Sequence, residues 1–379
     1  MVHSDNSLAG KRVILGLSGG VDSAVAAILL RQQGADVHAL HMTNWEDDDG
    51  YCTAAADLQD ARQICERLEI PLHHVNFARE YRERVFTRFL DEYRAGRTPN
   101  PDVLCNREIK FGVFRDYARR LGGSLLATGH YARIRLVNGR AHLLKAADKS
   151  KDQSYFLHAV SEQALTETVF PLGALQKEEV RDIARAHGLH VHDKKDSTGI
   201  CFIGERPFRE FLATYLEANP GQMQTPDGTV VGEHYGLMYY TPGQRQGLGV
   251  GGRQDASDAP WYVAGKNPDD NVLIVAQGEH ELLFSDHIQT APACWINERP
   301  APLNAGQSWN CQVKIRYRQP DQACLIRVGA DGSLELYFEG LQRAVAPGQS
   351  AVFYAGEHCL GGAVIERVME RSDALRKAI

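Results

Sequence analysis

Three short segments of the 379-residue chain carry residue types that can do chemistry. The first is Leu17-Ser18-Gly19-Gly20-Val21-Asp22-Ser23, which follows one apolar run and opens a stretch with helical periodicity. A helix N-terminus offers unpaired N–H groups and positive dipole to an anion, and two glycines let the backbone approach a phosphate closely. The Walker pattern with its loop lysine is absent, as is G-x-G-x-x-G, which weighs against ordinary kinase and dinucleotide readings. The second segment is Asn100-Pro101-Asp102-Val103-Leu104-Cys105-Asn106. A helix expected from Asn106 would put the Cys105 thiol at its N-terminus, where a thiol pKa falls and the thiolate becomes nucleophilic. Asp102 is a candidate general acid or base there, with a turn or cap as its plain alternative, and Cys105 alone also reads as a small core hydrophobe. The third segment, Asp196-Ser197-Thr198-Gly199-Ile200-Cys201-Phe202-Ile203-Gly204, holds a second thiol that only the fold can bring to the first.

The elements that must position these residues follow from periodicity. Short apolar runs at Arg12 to Leu17, Val37 to Met42, Leu72 to Phe77 and Ser124 to Thr128 are separated by helical stretches, the pattern of βαβ units on a parallel sheet. Helices are expected over 21–33, 106–121 and 177–187, with Gly34, Gly122 and Gly188 as stops. Gly- and Pro-rich sequence from Asn219 to Pro268 marks a change of domain. Beyond Leu282 the alternation over Cys311 to Arg318, Ala323 to Val328, Ser333 to Phe338 and Ser350 to Tyr354 predicts a small β domain. The resulting fold class is α/β: a parallel-sheet nucleotide domain over 1–205, a small central domain over 206–280 and a C-terminal β-barrel over 281–379.

Hydrophobic content of 43% and charged content of 24% exclude a disordered or fibrous chain. The polar opening from Met1 to Arg12 and the lack of any apolar stretch of about 20 residues predict a cytoplasmic protein with no membrane partner. A formal net charge of −6 means that any nucleic-acid partner needs a local basic face. Eight cysteines without a C-x-x-C pair give neither a disulfide scaffold nor a zinc site.

The loop Ser18 to Ser23 resembles the pyrophosphate loop of the ATP pyrophosphatase superfamily. Followed in order by LHMTNWE, NPDVLCNREIKF, ATGHYA, KDQSYFL, DSTGICFIGER and TPGQRQGLGVGG, it is similar to the bacterial tRNA-specific 2-thiouridylase family across most of the chain. The resemblance implies ATP, with Mg²⁺, on Gly16, Leu17, Ser18, Gly19, Gly20, Val21, Asp22 and Ser23, lined also by Met42 and Gly129. It implies that Asn100, Pro101 and Asp102 meet the target base, and that Lys151, Asp152, Gln153, Arg316 and Tyr317 contact tRNA. Cys105 would be the nucleophilic thiol, Cys201 the persulfide carrier and Asp102 the acid/base group, with no resident metal. The implied reaction is 2-thiolation of the wobble uridine in the tRNA anticodon arm, with a cysteine desulfurase or a sulfur-relay protein supplying the persulfide. Attack of the uridine oxygen on ATP makes AMP a leaving group, and two thiols then deliver sulfur. An amide-forming synthetase of the same superfamily is the alternative and needs neither thiol.

Other features carry two readings. Arg79, Arg82, Arg84, Arg88, Arg94 and Arg97 form a basic cluster for phosphates or the solvated face of a helix with interspersed acids. His38, His41, His73 and His74 are expected to pack rather than bind metal, Glu46 to Asp49 is a solvated run or an aid to Mg²⁺, and His130 either touches ligand or caps a strand.

Overall fold

The computed structural model describes residues 8–45, 54–195, 207–250, 259–304 and 306–369. Cys201 and the acidic run Glu46 to Asp49 lie outside the described residues. The chain forms β1 (Arg12–Gly16), β2 (Asp36–Thr43), β3 (Leu72–Asn76) and β4 (Leu125–Ala127), then a hairpin of β5 (Ala132–Val137) and β6 (Arg140–Lys145), then β7 (Thr168–Val169). Strands one to four and β7 make a parallel sheet in the order β3-β2-β1-β4-β7. Val13, Ile14 and Leu15 of β1 are wholly buried, as a strand covered on both faces requires.

Helix α1 (Val21–Gln32) is apolar nearly all round, burying Val21, Ala24, Val25, Ala26, Ala27, Ile28 and Leu30 between the sheet and the helix Lys177–Ala186. It stops where expected: Gly34 has φ 78°, and the Ala35 N–H reaches back to the Leu30 carbonyl at 3.2 Å. Helix α2 (Ala54–Leu68) follows β2. The sheet order reverses beside β1, so the crevice at the C-terminal ends of β1 and β4 is where a ligand belongs in such a sheet.

The central region holds β8 (Gly221–Gln224), β9 (Val230–His234), β10 (Trp261–Asn267) and β11 (Val272–Gln277), paired in the order β10-β11-β8-β9. Its helix Phe208–Ala213 sends Phe211 against Phe86 and Phe208 against Phe89, so this unit shares a core with the first.

The last region contains β12 (Phe284–Thr290), β13 (Cys294–Trp295), β14 (Trp309–Lys314), β15 (Gln322–Val328), β16 (Leu334–Arg343), β17 (Ser350–Ala355) and β18 (His358–Val368). The antiparallel order β12-β16-β15-β14-β17-β18 closes through β12–β18 pairs such as Ile288 with Val368, giving the expected barrel, filled by Ile288, Val313, Ile326, Leu336 and Phe353. The β5–β6 hairpin adds to this sheet, Leu144 pairing with His358. The barrel is therefore stitched to the nucleotide domain by main-chain hydrogen bonds.

Two elements depart from expectation. The helix expected from Asn106 starts at Pro101, because Asn100 caps it: the Asn100 Oδ1 accepts the Asp102 and Val103 N–H groups at 3.2 and 3.4 Å, and Pro101 suits a first helical position. The strand expected over Cys311 to Arg318 stops at Lys314, where the Ile315 N–H turns to the Gln319 side chain at 2.9 Å and leaves Arg316 and Tyr317 in a turn. Among the described residues no helix is long and apolar enough to cross a membrane.

Candidate active site

The loop after β1 is shaped from three sides. Gly19 has φ 81°, and a Cβ there would lie 2.4 Å from the Asp57 carbonyl oxygen of α2. Gly129, after β4, packs against the first turn of α1, where a Cβ would lie 2.9 Å from the Ser23 nitrogen. From β2, the buried His41 ring holds the Leu17 carbonyl at 2.8 Å. Inside the loop the Ser23 hydroxyl donates to the Gly20 carbonyl at 3.1 Å and accepts the Ser18 N–H at 3.2 Å. Gly20 is the N-cap of α1 and no side chain caps the helix, so its first-turn N–H groups are not claimed by a serine or aspartate cap. Gly16 ends β1 beside the Phe114 ring, and Met42 lies near the end of β2, partly buried against the same core.

Two lysines distant in sequence complete the loop. Lys177 is buried and grips the Asp22 carboxylate at 2.7 and 2.9 Å, while the Tyr131 hydroxyl donates to the same carboxylate at 2.8 Å. Lys194 donates to the Gly19 carbonyl at 3.2 Å, to Asp57 at 2.9 Å and to Asp60 at 2.6 Å. Burial works against its charge, but the hydrogen bonds to Asp60 and Asp57 outweigh it and hold its pKa above the ordinary lysine range. A cation thus stands at the phosphate loop although the loop contains none. Neither lysine sits in a motif, so sequence reasoning had no local signal for them; an isolated lysine acquires meaning only when the fold brings it back.

The β4 loop connects this site to the thiol helix. The Thr128 hydroxyl meets His130 Nδ1 at 2.8 Å, and the His130 ring packs between Phe111 and Phe170, each 5.9 Å away. Burial lowers the His130 pKa far below its usual value, with Lys110 adding to the effect, so the ring is neutral at physiological pH. Phe111 belongs to the wider-wound π-helical segment Cys105–Val113, which continues the short helix Pro101–Leu104. Cys105 therefore lies one turn inside the helix, not ahead of it, and is buried. The helix dipole fades within the first turn, so the helix start does not act on this thiol as it would on one at the cap.

Asp102 is exposed to solvent at the first turn of this helix, with protein packed around it. That desolvation raises its carboxyl pKa, with Lys110 pulling the other way. Pro101 is buried and Asn100 is committed to its cap. Next to them the helix Ser154–Leu157 packs on the thiol helix, the Asn106 side chain donating to the Phe156 carbonyl at 3.0 Å. Phe156 in turn packs against Tyr317, with ring centroids 4.5 Å apart and the planes tilted by 42°. The structure thus gathers 100–106, 153–157 and 316–317 from three distant stretches. Asp152 and Gln153 turn inward: the Asp152 carboxylate accepts the Ala146 and Ser154 N–H groups, and Gln153 Oε1 accepts the Tyr131 N–H at 2.9 Å. Lys151 is partly exposed beside them. Arg316 is exposed and donates to the Ala344 carbonyl.

The arginines from 79 to 97 are mostly engaged locally. Arg97 forks onto Glu92, Arg94 meets Asp91 at 2.8 Å, Arg88 meets Glu108 at 3.4 Å and Arg82 lies over Trp45. This favours the solvated-face reading. His38 and His73 stack with Nδ1 and Nε2 3.1 Å apart, and His74 meets the Thr43 hydroxyl at 2.9 Å. Among the described residues no cluster of three or more His, Cys, Asp or Glu is arranged to hold a metal.

Family models match in the same three parts: the tRNA methyl transferase HUP domain over 11–205, the tRNA methyl transferase PRC-barrel domain over 209–277 and the aminomethyltransferase beta-barrel domain over 285–365. The tRNA-specific 2-thiouridylase MnmA of Dichelobacter nodosus is 57% identical over 95% of this chain and 96% of its own. The tRNA-specific 2-thiouridylase MnmA of Hahella chejuensis is 57% identical over 95% of this chain and 98% of its own. Among solved structures, the NMN synthetase of Francisella tularensis aligns with 20% identity, 55% of this chain, 75% of its own and a TM-score of 0.33. On identity of this extent over nearly the whole length, the chain belongs to the tRNA-specific 2-thiouridylase family.

Proposed function

We propose that this chain is the ATP-dependent sulfurtransferase that converts the wobble uridine of tRNA into 2-thiouridine. The single observation that carries this is 57% identity over 95% of the chain with a tRNA-specific 2-thiouridylase. The geometry fits: an uncapped helix start after β1 for phosphates, and an accessible carboxyl and a cysteine on one continuous helical stretch. ATP is the co-substrate, and its Mg²⁺ neutralises phosphate charge when bound. The division into 1–205, 206–280 and 281–379 and the cytoplasmic address are part of this proposal.

A uridine C2 carbonyl is a poor electrophile, and transfer of AMP to its oxygen, with loss of pyrophosphate, makes the carbon open to attack. Asp102 is placed to manage the base proton, since its raised pKa lets it exchange a proton more readily than an ordinary carboxylate. Sulfur then arrives from a Cys201 persulfide. By one route the terminal sulfur bonds to C2, AMP leaves, and the Cys105 thiolate attacks the Cys201 sulfur, freeing the thiocarbonyl. By the other, Cys105 attacks the persulfide first and releases hydrosulfide, which displaces AMP. Each route leaves a Cys105–Cys201 disulfide that a thiol reductant must reopen. A cysteine desulfurase or relay protein loads the persulfide.

The test is nucleoside mass spectrometry on unmodified tRNA incubated with the protein, ATP, Mg²⁺ and a persulfide donor. Wobble 2-thiouridine from the native chain, lost in Cys105→Ser and Cys201→Ser, is the expected result. Pyrophosphate release without thiolated nucleoside points instead to an amide-forming synthetase of the superfamily and removes the reading.

A further inference from the structure

Two free thiols face each other across the wall of the C-terminal barrel. In the antiparallel β14–β15 pair Cys311 stands directly opposite Cys324, between the pairs Asn310 with Leu325 and Gln312 with Ala323. Opposed residues of such a pair put their side chains on one face of the sheet. Here that face is the barrel interior: Cys324 is 3% exposed within the core, and Cys311, half-buried, packs against the same cluster. Opposed Cα atoms lie about 4.5–5.5 Å apart, inside the span of about 4.4–6.8 Å that a disulfide bridges, so the two sulfurs can be joined with the strands left in register. The Cys324 thiol gives up little in the process, since its contact with the Leu325 carbonyl is long at 3.7 Å. Among the described residues no other two cysteines are opposed in this way; Cys294 faces Gly362, and Cys359 faces Leu143 and Tyr354.

The position of the pair gives a bond there a mechanical consequence. β14 is held by β17 only from Gln312 to Lys314, so its first half, from Trp309 to Cys311, is paired on one side alone, with β15. The same two strands bracket the turn that carries Arg316 and Tyr317. We propose that Cys311 and Cys324 are a redox-active dithiol that a low-molecular-weight disulfide such as oxidised glutathione closes into a cross-strand bond, stapling the base of this turn. The Cys311 thiol, the more accessible, loses its proton and attacks one sulfur of the oxidant, whose other half leaves as a thiolate. Cys324 then loses its proton and attacks the Cys311 sulfur of the mixed disulfide, expelling the second half. Two protein thiols are oxidised, one small disulfide is reduced to two thiols, and the two protons end on those thiols. Burial sets the pace: it pushes the Cys311 thiol up to about 12 and the Cys324 thiol far above its usual value, with Cys311 adding to the effect. The attacking thiolate is therefore scarce, and the same high values make both sulfurs poor leaving groups, so the bond closes slowly and, once closed, yields slowly to reductants.

The experiment incubates the full chain with oxidised glutathione, blocks the remaining thiols with iodoacetamide, and maps the cross-linked peptides by mass spectrometry. Hydrogen exchange of the hairpin amides is followed in parallel, for the native chain, Cys311→Ala and Cys324→Ala. A peptide joining Cys311 to Cys324 is expected from the native chain, and dithiothreitol should remove it. Closing a loop of roughly 15 residues restrains the opened hairpin, so exchange of the amides at 309–311 should slow by about tenfold or more in the oxidised native chain and stay unchanged by oxidant in both variants. Both thiols recovered as their iodoacetamide adducts, or Cys311 recovered only as its glutathione adduct, would mean that the sulfurs do not meet, and would overturn the proposal. A Cys311–Cys324 link with unchanged or faster exchange would show that closure distorts the strands, and would overturn the staple equally. Should Cys324→Ala fail to fold, the mapping on the native chain and the Cys311→Ala control still decide between these outcomes.

Discussion

The two glycines of the phosphate loop look alike in sequence and are under different demands in the fold, which makes Gly19→Ala and Gly20→Ala an informative pair. At Gly19 the backbone has φ 81°, which costs an L-residue about 1–2 kcal/mol. The added Cβ would also sit 2.4 Å from the Asp57 carbonyl oxygen, where contacts below 3.0 Å are essentially never seen, so the loop or α2 must move by at least about 0.6 Å. A displacement of about 1 Å in a positioned site costs about 100-fold. The rate of ATP-dependent pyrophosphate release by Gly19→Ala should therefore fall between about tenfold and about 100-fold. The melting temperature should drop only by about 2–4 °C per kcal/mol lost. Gly20 has φ −99°, and its Cβ would meet only the Ser18 hydroxyl at 3.5 Å, so Gly20→Ala should keep its loop and lose less than about threefold. The reverse ranking, with Gly20→Ala the more damaging, would falsify the argument that loop conformation sets the requirement and would show that close approach of the ligand does.

Lys177→Met removes the partner that pairs most closely with Asp22; breaking a buried pair costs about 3–5 kcal/mol, and because the Asp22 side chain is 30% exposed and keeps Tyr131, about 2 kcal/mol is expected in urea unfolding. A loss below about 0.5 kcal/mol would mean that Asp22 is held by other groups. Burial lowers the Lys266 pKa from 10.5 to about 8 although its ammonium donates to the Gly96 carbonyl at 2.7 Å. The unfolded chain then binds the extra proton between those values, so stability relative to Lys266→Met should rise from about pH 8 toward pH 10.5, by at most about 3 kcal/mol. A flat difference across that window in pH-dependent urea melts contradicts the burial. Burial also raises the Asp102 pKa, so the ionised carboxyl disfavours the fold at neutral pH and its protonation relieves this as pH falls through the folded value. Asp102→Asn should thus abolish thiolation without lowering stability at pH 7, and should lose its stability advantage in acid; a destabilised variant at pH 7 would show that the carboxylate has a structural partner.

What the sequence disclosed and what it hid divide along local and non-local lines. The strand–loop–helix at 12–32 is legible because each step has a local cause: a buried run, two glycines, an apolar helix and a glycine in left-handed geometry at 34. The barrel strands over 322–328 and 350–355 announce themselves by alternation and turns. The β5–β6 hairpin does not, because its reason for existing is the edge of β18, more than two hundred residues away. The sequence reading starts the helix at Asn106 as its N-cap, whereas Asn100 caps the helix, and that shift changes the setting of Cys105.

The same division explains why the site is assembled as it is. Its recognisable motifs supply only groups that act by backbone or by one reactive atom: glycines at the loop, a carboxyl and a thiol on a capped helix. The countercharges that make those groups usable come from residues with no motif at all. Lys177 reaches Asp22 across 155 positions, and Lys194 reaches Gly19 across 175. Lys177 opens the helix packed on α1, and Lys194 follows the 3₁₀ turn His190–Asp193 just before the segment that leads to Cys201. One ammonium thereby ties the carbonyl of Gly19 to the start of α2. Lys194→Gln should for that reason impair ATP binding even though nothing in the phosphate loop itself has been altered, and calorimetry showing native ATP affinity would mean that this ammonium does not support the loop.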